Sequence, residues 1–137
     1  MSKIDKYLKE KLRDTMSFTL TSIYVQYLKI LSTRVFIEDK GYIRTTLKRV
    51  IVMEGLDLMK GELIDPELWE KTKKVEGTSI MILRTNEKIE KLVQEVATVH
   101  FTSRSHFVRY AIMKTFYKYF PEGQIGETKI VSLGKLF

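Results

Sequence analysis

Residues 79–112 read SIMILRTNEKIEKLVQEVATVHFTSRSHFVRYAI, and the main features of the fold follow from this stretch. Its first part, 78–85, alternates between two faces, which predicts a half-exposed strand. Apolar residues then recur at helical spacing over 87–98, and again from Ser103 to Tyr119 after a short turn. The stretch therefore predicts one strand followed by two helices.

The same hydrophobic pattern occurs a second time, in residues 16–51, at a constant offset of 65 positions and without a gap. Residues 15–21 alternate as a strand, the residues from Ser22 follow helical spacing, and a second helix is predicted from near Asp39 to about Leu58. Few residues are identical, so it is the pattern that repeats. Matching pairs include Met16 and Met81, Phe18 and Leu83, Phe36 and Phe101, and Arg44 and Arg109.

The repeat predicts a mainly α fold with a short two-stranded antiparallel β-ribbon. The expected segments are an N-terminal amphipathic helix (1–14), a first, divergent repeat (15–58), a connector with a short helix (59–77), a second repeat (78–120) and a C-terminal tail (121–137). In the connector, Asp65-Pro66 predicts a helix start, because aspartate caps helices and proline suits their first turn. We expect Trp69 on that helix to dock against the core.

Composition favours a polyanionic partner. The 137 residues carry 24 Lys and Arg against 17 Asp and Glu, a formal net charge of +7. The absence of cysteine excludes disulfides and thiolate chemistry. Without a signal-peptide pattern or an apolar run of roughly 20 residues, we expect a soluble, cytoplasmic protein and no membrane partner. Abundant Lys, Glu and Ile with a single Asn also suggest a hot habitat.

The sequence does not favour an enzyme. It has two histidines, His100 and His106, and neither a glycine-rich phosphate loop nor an H-E-x-x-H motif. Its carboxylates are scattered along the chain rather than paired on one face. We therefore expect no catalytic residue, no metal and no cofactor. His106 is predicted in the first turn of a helix, where it either touches phosphate or has no role.

The segment Leu83–Ile89, joined through one helix and a tight turn to Ser103–Arg109, resembles the ribbon-helix-helix family of DNA-binding proteins, the Arc, MetJ and CopG type. Residues 16–51 resemble it less specifically. The resemblance implies two tandem copies in one chain and a sequence-specific, double-stranded DNA-binding protein that acts as a transcriptional repressor.

A strand that is exposed on one face and buried on the other needs a partner strand, and a two-stranded ribbon fits the major groove of DNA. With Met81 and Leu83 inward, the outward side chains are candidates for base contacts. Arg84 is the strongest, because its guanidinium matches the O6 and N7 atoms of guanine, and Ile82 either meets a thymine methyl or only packs. The full set of expected base contacts is Arg84, Ile82, Ile80, Ser17, Thr19 and Thr21.

The second helix of each repeat offers its N-terminus to the DNA backbone, where free N–H groups bind phosphate. The expected phosphate contacts are Ser103, Arg104, Ser105 and Lys40. The first repeat departs from this pattern, because Glu38-Asp39 stand where Ser103-Arg104 stand in the second and would repel phosphate. Arg44 and Arg109 are expected to be packed or paired rather than to read bases.

Two questions stay open at the level of sequence. The strands of the two repeats either pair within one chain or each pairs with its copy in a homodimer. The function is either that of a repressor, of an antitoxin- or partition-type adaptor that binds a protein partner through its tail, or of a protein that coats DNA without sequence preference. A much higher affinity for one operator sequence than for nonspecific DNA would favour the repressor.

Overall fold

The computed structural model describes residues 3–37, 43–73, 79–125 and 128–129. Its elements in chain order are α1 (Lys3–Leu8), β1 (Asp14–Leu20), α2 (Ser22–Ile30), a π-helical turn (Leu31–Val35), α3 (Ile43–Met59), α4 (Pro66–Lys73), β2 (Ser79–Thr85), α5 (Glu87–His100), α6 (Arg104–Tyr119), β3 (Gln124–Ile125) and β4 (Thr128–Lys129). The predicted class, mainly α with a two-stranded antiparallel sheet, is confirmed.

β1 and β2 pair with each other within the chain, antiparallel along their whole length. Ser17 lies opposite Ile82 at the centre of the ribbon. These two residues are also 65 positions apart, the offset of the sequence repeat. The central pair therefore marks a pseudo-twofold axis, and of the two pairings that the sequence left open, the intrachain one is found.

The ribbon buries one face and exposes the other, because side chains alternate along a strand. Met16, Phe18 and Leu20 of β1 and Leu83 of β2 are buried, while their sequence neighbours face outward. Fully buried side chains from the helices complete the core beneath this face: Leu28, Ile30, Leu31, Leu47, Ile51, Ile89, Phe107, Tyr110 and Phe116.

Helix α6 is central to the packing, since it contacts α2, α3, α4, α5 and β1. The Phe116 ring on α6 stacks on Tyr27 of α2 with centroids 4.4 Å apart. Helices α3 and α5 approach closely at Gly55, where an added Cβ would lie 3.0 Å from the Leu92 side chain. Glycine is required there by space, not by backbone conformation.

In the described part of the connector, helix α4 begins at Pro66, where the sequence predicts a helix start. Asp65 Oδ1 accepts from the backbone N–H groups of Glu67 and Leu68, so it caps α4. Trp69 is packed against the core, and its indole N–H donates to the His100 carbonyl at 3.2 Å. The expected core-docking role of Trp69 is confirmed.

The segments near the two ends of the chain depart further from the sequence prediction than the connector helix does. Helix α1 ends at Leu8, well before the end of the segment expected over 1–14, because the chain must turn before entering β1 at Asp14. Within the C-terminal tail, Gln124–Ile125 and Thr128–Lys129 form two short strands that pair antiparallel. Across the described ranges, no helix is both long and apolar enough to cross a membrane.

Candidate nucleic-acid interface

The outer face of the ribbon presents six side chains in three cross-strand pairs. Thr15 lies opposite Arg84, Ser17 opposite Ile82, and Thr19 opposite Ile80. Ile80 is 71% exposed and Ile82 is 55% exposed, although most large apolar side chains among the described residues are buried. Two exposed isoleucines beside serine and threonine form a mixed surface that suits the edges of bases, which offer both hydrogen-bonding groups and methyl groups.

Arg84 gives one end of the ribbon a positive charge. Its side chain is exposed, and Nη2 donates weakly to the Leu12 carbonyl at 3.4 Å. Lys48 of α3 lies near enough to be affected: burial lowers the pKa of Lys48, and the charge of Arg84 lowers it further. Arg84 is therefore the cation of the outer face, and it lies at the Thr15 end of the ribbon.

The N-terminus of α6 lies against the free edge of β1. Ser103 caps the helix, with its hydroxyl accepting from the His106 N–H at 3.1 Å. The Ser105 hydroxyl accepts from the Thr19 N–H at 3.0 Å, which fixes the helix end to the ribbon. Arg104 is exposed between them. The structure thus brings the three expected phosphate contacts of the second repeat together beside the ribbon.

Arg109 of α6 links β1 to the end of α4 through buried hydrogen bonds. It is 4% exposed, and its guanidinium donates to three backbone carbonyls: Thr72 at 2.8 Å, Thr19 at 3.0 Å and Lys73 at 3.2 Å. Burial lowers the pKa of Arg109, but a guanidinium stays charged in proteins. It ties the last carbonyls of α4 to β1, a packed role as expected, while its counterpart Arg44 is exposed.

His106 is fully buried, so the expectation that it could touch phosphate is wrong. Its Nε2 lies 2.9 Å from the Trp69 carbonyl and donates to it, and its ring packs against Trp69 and Phe101. Burial is the main cause that lowers the pKa of His106, which favours the neutral ring. Sequence alone could not show that the connector helix would cover this side of α6.

The remaining candidates are placed as follows. Thr21 lies past the end of β1, at the N-cap of α2, so it is not part of the ribbon face. Lys40 lies outside the described residues, as do Glu38 and Asp39. Thr15 is the outward residue that sequence reasoning missed, although it has the same strand parity as Ser17 and Thr19.

A second exposed surface lies elsewhere on the molecule. An apolar groove of about 410 Å³ runs between the C-terminal parts of α3 and α5, lined by Leu58, Met59, Val96, Val99 and others. Within the described part of the chain, no group of three or more His, Cys, Asp or Glu side chains is placed to hold a metal. Comparison with family models, curated proteins and solved structures finds no match for this chain.

Proposed function

We propose that the chain is a tandem ribbon-helix-helix protein that binds double-stranded DNA, inserting the outer face of β1–β2 into the major groove, and that it acts as a sequence-specific transcriptional repressor. The observation that carries the proposal is the ribbon itself. It is sealed against the core on one face and bears exposed Ser17, Ile82 and Arg84 on the other.

The dimensions of the ribbon support this proposal. The major groove is about 12 Å wide and admits a two-stranded ribbon. A strand rises about 3.3 Å per residue, so Ile80 to Arg84 spans roughly 13 Å, the length of about four base steps. Side chains of the outer face can then meet several successive base pairs at once.

The surroundings of the ribbon support it as well. Arg104 and the N–H groups at the start of α6 lie beside the edge of β1, where the DNA backbone would pass. Phosphate contacts of this kind position a protein, while contacts to base edges specify the sequence. Net positive charge of the whole chain adds to the attraction.

The proposal is tested by a pair of charge-matched substitutions. Ile82→Glu places a carboxylate at the centre of the ribbon face, and Met59→Glu places one on the apolar groove at the end of α3. The two side chains are equally exposed, at 55% and 53%. We expect Ile82→Glu to abolish binding to selected duplex DNA and Met59→Glu to change it little, measured by fluorescence anisotropy at two salt concentrations.

Equal losses for the two variants would contradict the proposal, since a general change of charge would then explain both. The same titrations separate the alternatives. A steep salt dependence without sequence preference indicates a coating protein, and a preferred sequence indicates a repressor or a DNA-binding adaptor.

A further inference from the structure

The register of β1 and β2 determines which side chains each half of the ribbon presents to DNA. A homodimeric reader presents the same residues twice about a twofold axis, so its site is palindromic. Here the axis passes through the Ser17–Ile82 pair and relates residues that differ. We propose that this chain reads a non-palindromic sequence in one fixed orientation.

All three pairs related by the pseudo-twofold axis differ in chemistry. The axis exchanges Thr19 with Arg84, Ser17 with Ile82, and Thr15 with Ile80. In each case one strand offers a hydroxyl and the other offers a cation or a branched hydrocarbon. No position of the outer face is repeated on the opposite half, so no half of the site is read twice.

The two ends of the ribbon consequently favour different bases. One end carries Arg84 beside Thr15, and a guanidinium at this position suits the O6 and N7 atoms of guanine. The other end carries Ile80 beside Thr19, and a side chain that is 71% exposed and apolar suits the methyl group of thymine. Ile82 extends the apolar surface to the centre.

The asymmetry extends to the ribbon edge. The start of α6, with Ser105 bonded to Thr19, lies at the Ile80 end. Lys48 lies near Arg84 at the opposite end. The groups beside the two ends of the ribbon thus differ, and we expect this difference to add to the preference for one orientation. The expected site has a guanine at one end and thymines at the centre and the other end, separated by about four base steps.

This inference rests on the proposed function, and one experiment separates their failures. DNA bound by the full chain is selected from a random pool, and the mass of the complex gives the number of chains per site. We expect one chain on an asymmetric sequence. Symmetrised sites, built from either half repeated as a palindrome, should bind about fivefold more weakly or worse, since each loses one set of base contacts.

Base analogues then assign the orientation. Uracil in place of the thymine met by Ile82 removes one methyl group and should weaken binding about fourfold. The same uracil should have no effect on the Ile82→Ala variant. Likewise, 7-deazaguanine should weaken binding of the wild-type chain but not of Arg84→Ala.

The outcomes are distinct. A palindromic selected sequence bound by one chain, or a symmetrised site bound as well as the parent, would overturn the inference and leave the proposed function in place. Analogue effects that persist in the alanine variants would overturn the assignment of the two ends. Failure to bind any DNA would overturn the proposed function, and the inference with it.

Discussion

At the scale of single residues, Arg84 and Arg104 should separate base reading from phosphate binding. Both are exposed arginines near the ribbon, but only Arg84 lies on its outer face. Arg84→Ala should cost roughly 1–3 kcal/mol of binding free energy and relax preference at one base position. Arg104→Ala should weaken binding to all sequences alike and lower the salt slope by about one. Affinities for a panel of single-base variants check both; an unchanged preference in Arg84→Ala would exclude the ribbon as the reading element.

Arg109 should be a stability residue. Its guanidinium donates to the carbonyls of Thr72, Thr19 and Lys73 while almost fully buried. Hydrogen bonds to charged groups contribute roughly 1.5–3 kcal/mol each, and the loss leaves carbonyls unpaired. We expect Arg109→Met to lower the free energy of unfolding by about 3 kcal/mol or more, measured by urea denaturation.

The repeat supplies the control for this measurement. Arg44 occupies the position equivalent to Arg109 but is exposed. Arg44→Met should change the free energy of unfolding by less than about 0.5 kcal/mol. Similar losses at the two positions would show that the carbonyl contacts of Arg109 do not account for its effect.

Glu54 should make the free energy of unfolding depend on pH. It is 1% exposed, accepts from the Thr115 hydroxyl at 3.3 Å, and has Lys114 Nζ 3.7 Å from Oε2. Burial raises the pKa of Glu54, and the charge of Lys114 offsets this only in part. The folded state then binds the proton more tightly than the unfolded state. The contribution of Glu54 to the free energy of unfolding is therefore largest below pH 4.5, and it is lost as the pH rises through the raised pKa of this carboxyl group.

Glu54→Gln tests this sign, because the amide oxygen can still accept from Thr115. The variant should flatten the fall in urea midpoint between pH 4.5 and pH 7, where the window begins at the ordinary carboxyl value. Glu95→Gln, which removes an exposed carboxylate from α5, matches the change in net charge. A steeper fall in Glu54→Gln than in the parent would reverse the assigned sign.

At the scale of elements, the contact between α3 and α5 depends on Gly55. Alanine favours a helix interior over glycine by about 1 kcal/mol, but here its Cβ would lie 3.0 Å from the Leu92 side chain. Leu92 is 2% exposed and has little room to move. We expect Gly55→Ala to destabilise the wild-type protein and to stabilise a Leu92→Ala variant by about 1 kcal/mol, a change of sign measurable by thermal unfolding. The same sign in both backgrounds would contradict this packing.

Element types were predictable where the pattern is local. Alternation in 15–21 and 78–85 indicated both strands, and Asp65-Pro66 indicated the start of α4. The π-helical turn at Leu31–Val35 was not predicted, because a wider turn shifts the apolar spacing without identifying its cause. Outward residues follow from strand parity, so Thr15 could have been included.

At the scale of the whole molecule, long-range contacts were harder to predict from the sequence than the local elements were. Alternation shows that a strand needs a partner but not which one, so the sequence left the homodimer open as an alternative to the intrachain ribbon, and the β1–β2 pairing decides for the intrachain one. Similarly, the burial of His106 depends on Trp69, and Arg109 on the end of α4, contacts between residues more than 30 positions apart. Such contacts leave no mark in local spacing.

The most direct test of the account is capture of DNA by a single thiol at the centre of the ribbon. Because the chain has no cysteine, Ser17→Cys carries one unique thiol in place of a side chain of similar size. A duplex of the selected sequence carries a linker that ends in a mixed disulfide with a small thiol, so that attack by the cysteine forms the cross-link and releases the small thiol. The linker is attached either at a pyrimidine C5, in the major groove, or at a guanine N2, in the minor groove. Val99→Cys, which is 72% exposed on α5, is the control.

A disulfide forms only when its two sulfurs can meet at bonding distance. The account predicts that Ser17→Cys is cross-linked to the duplex with the major-groove linker, and neither to the minor-groove duplex nor through Val99→Cys. Cross-linking of Ser17→Cys to the minor-groove duplex, or equal capture by the two cysteine variants, would contradict it.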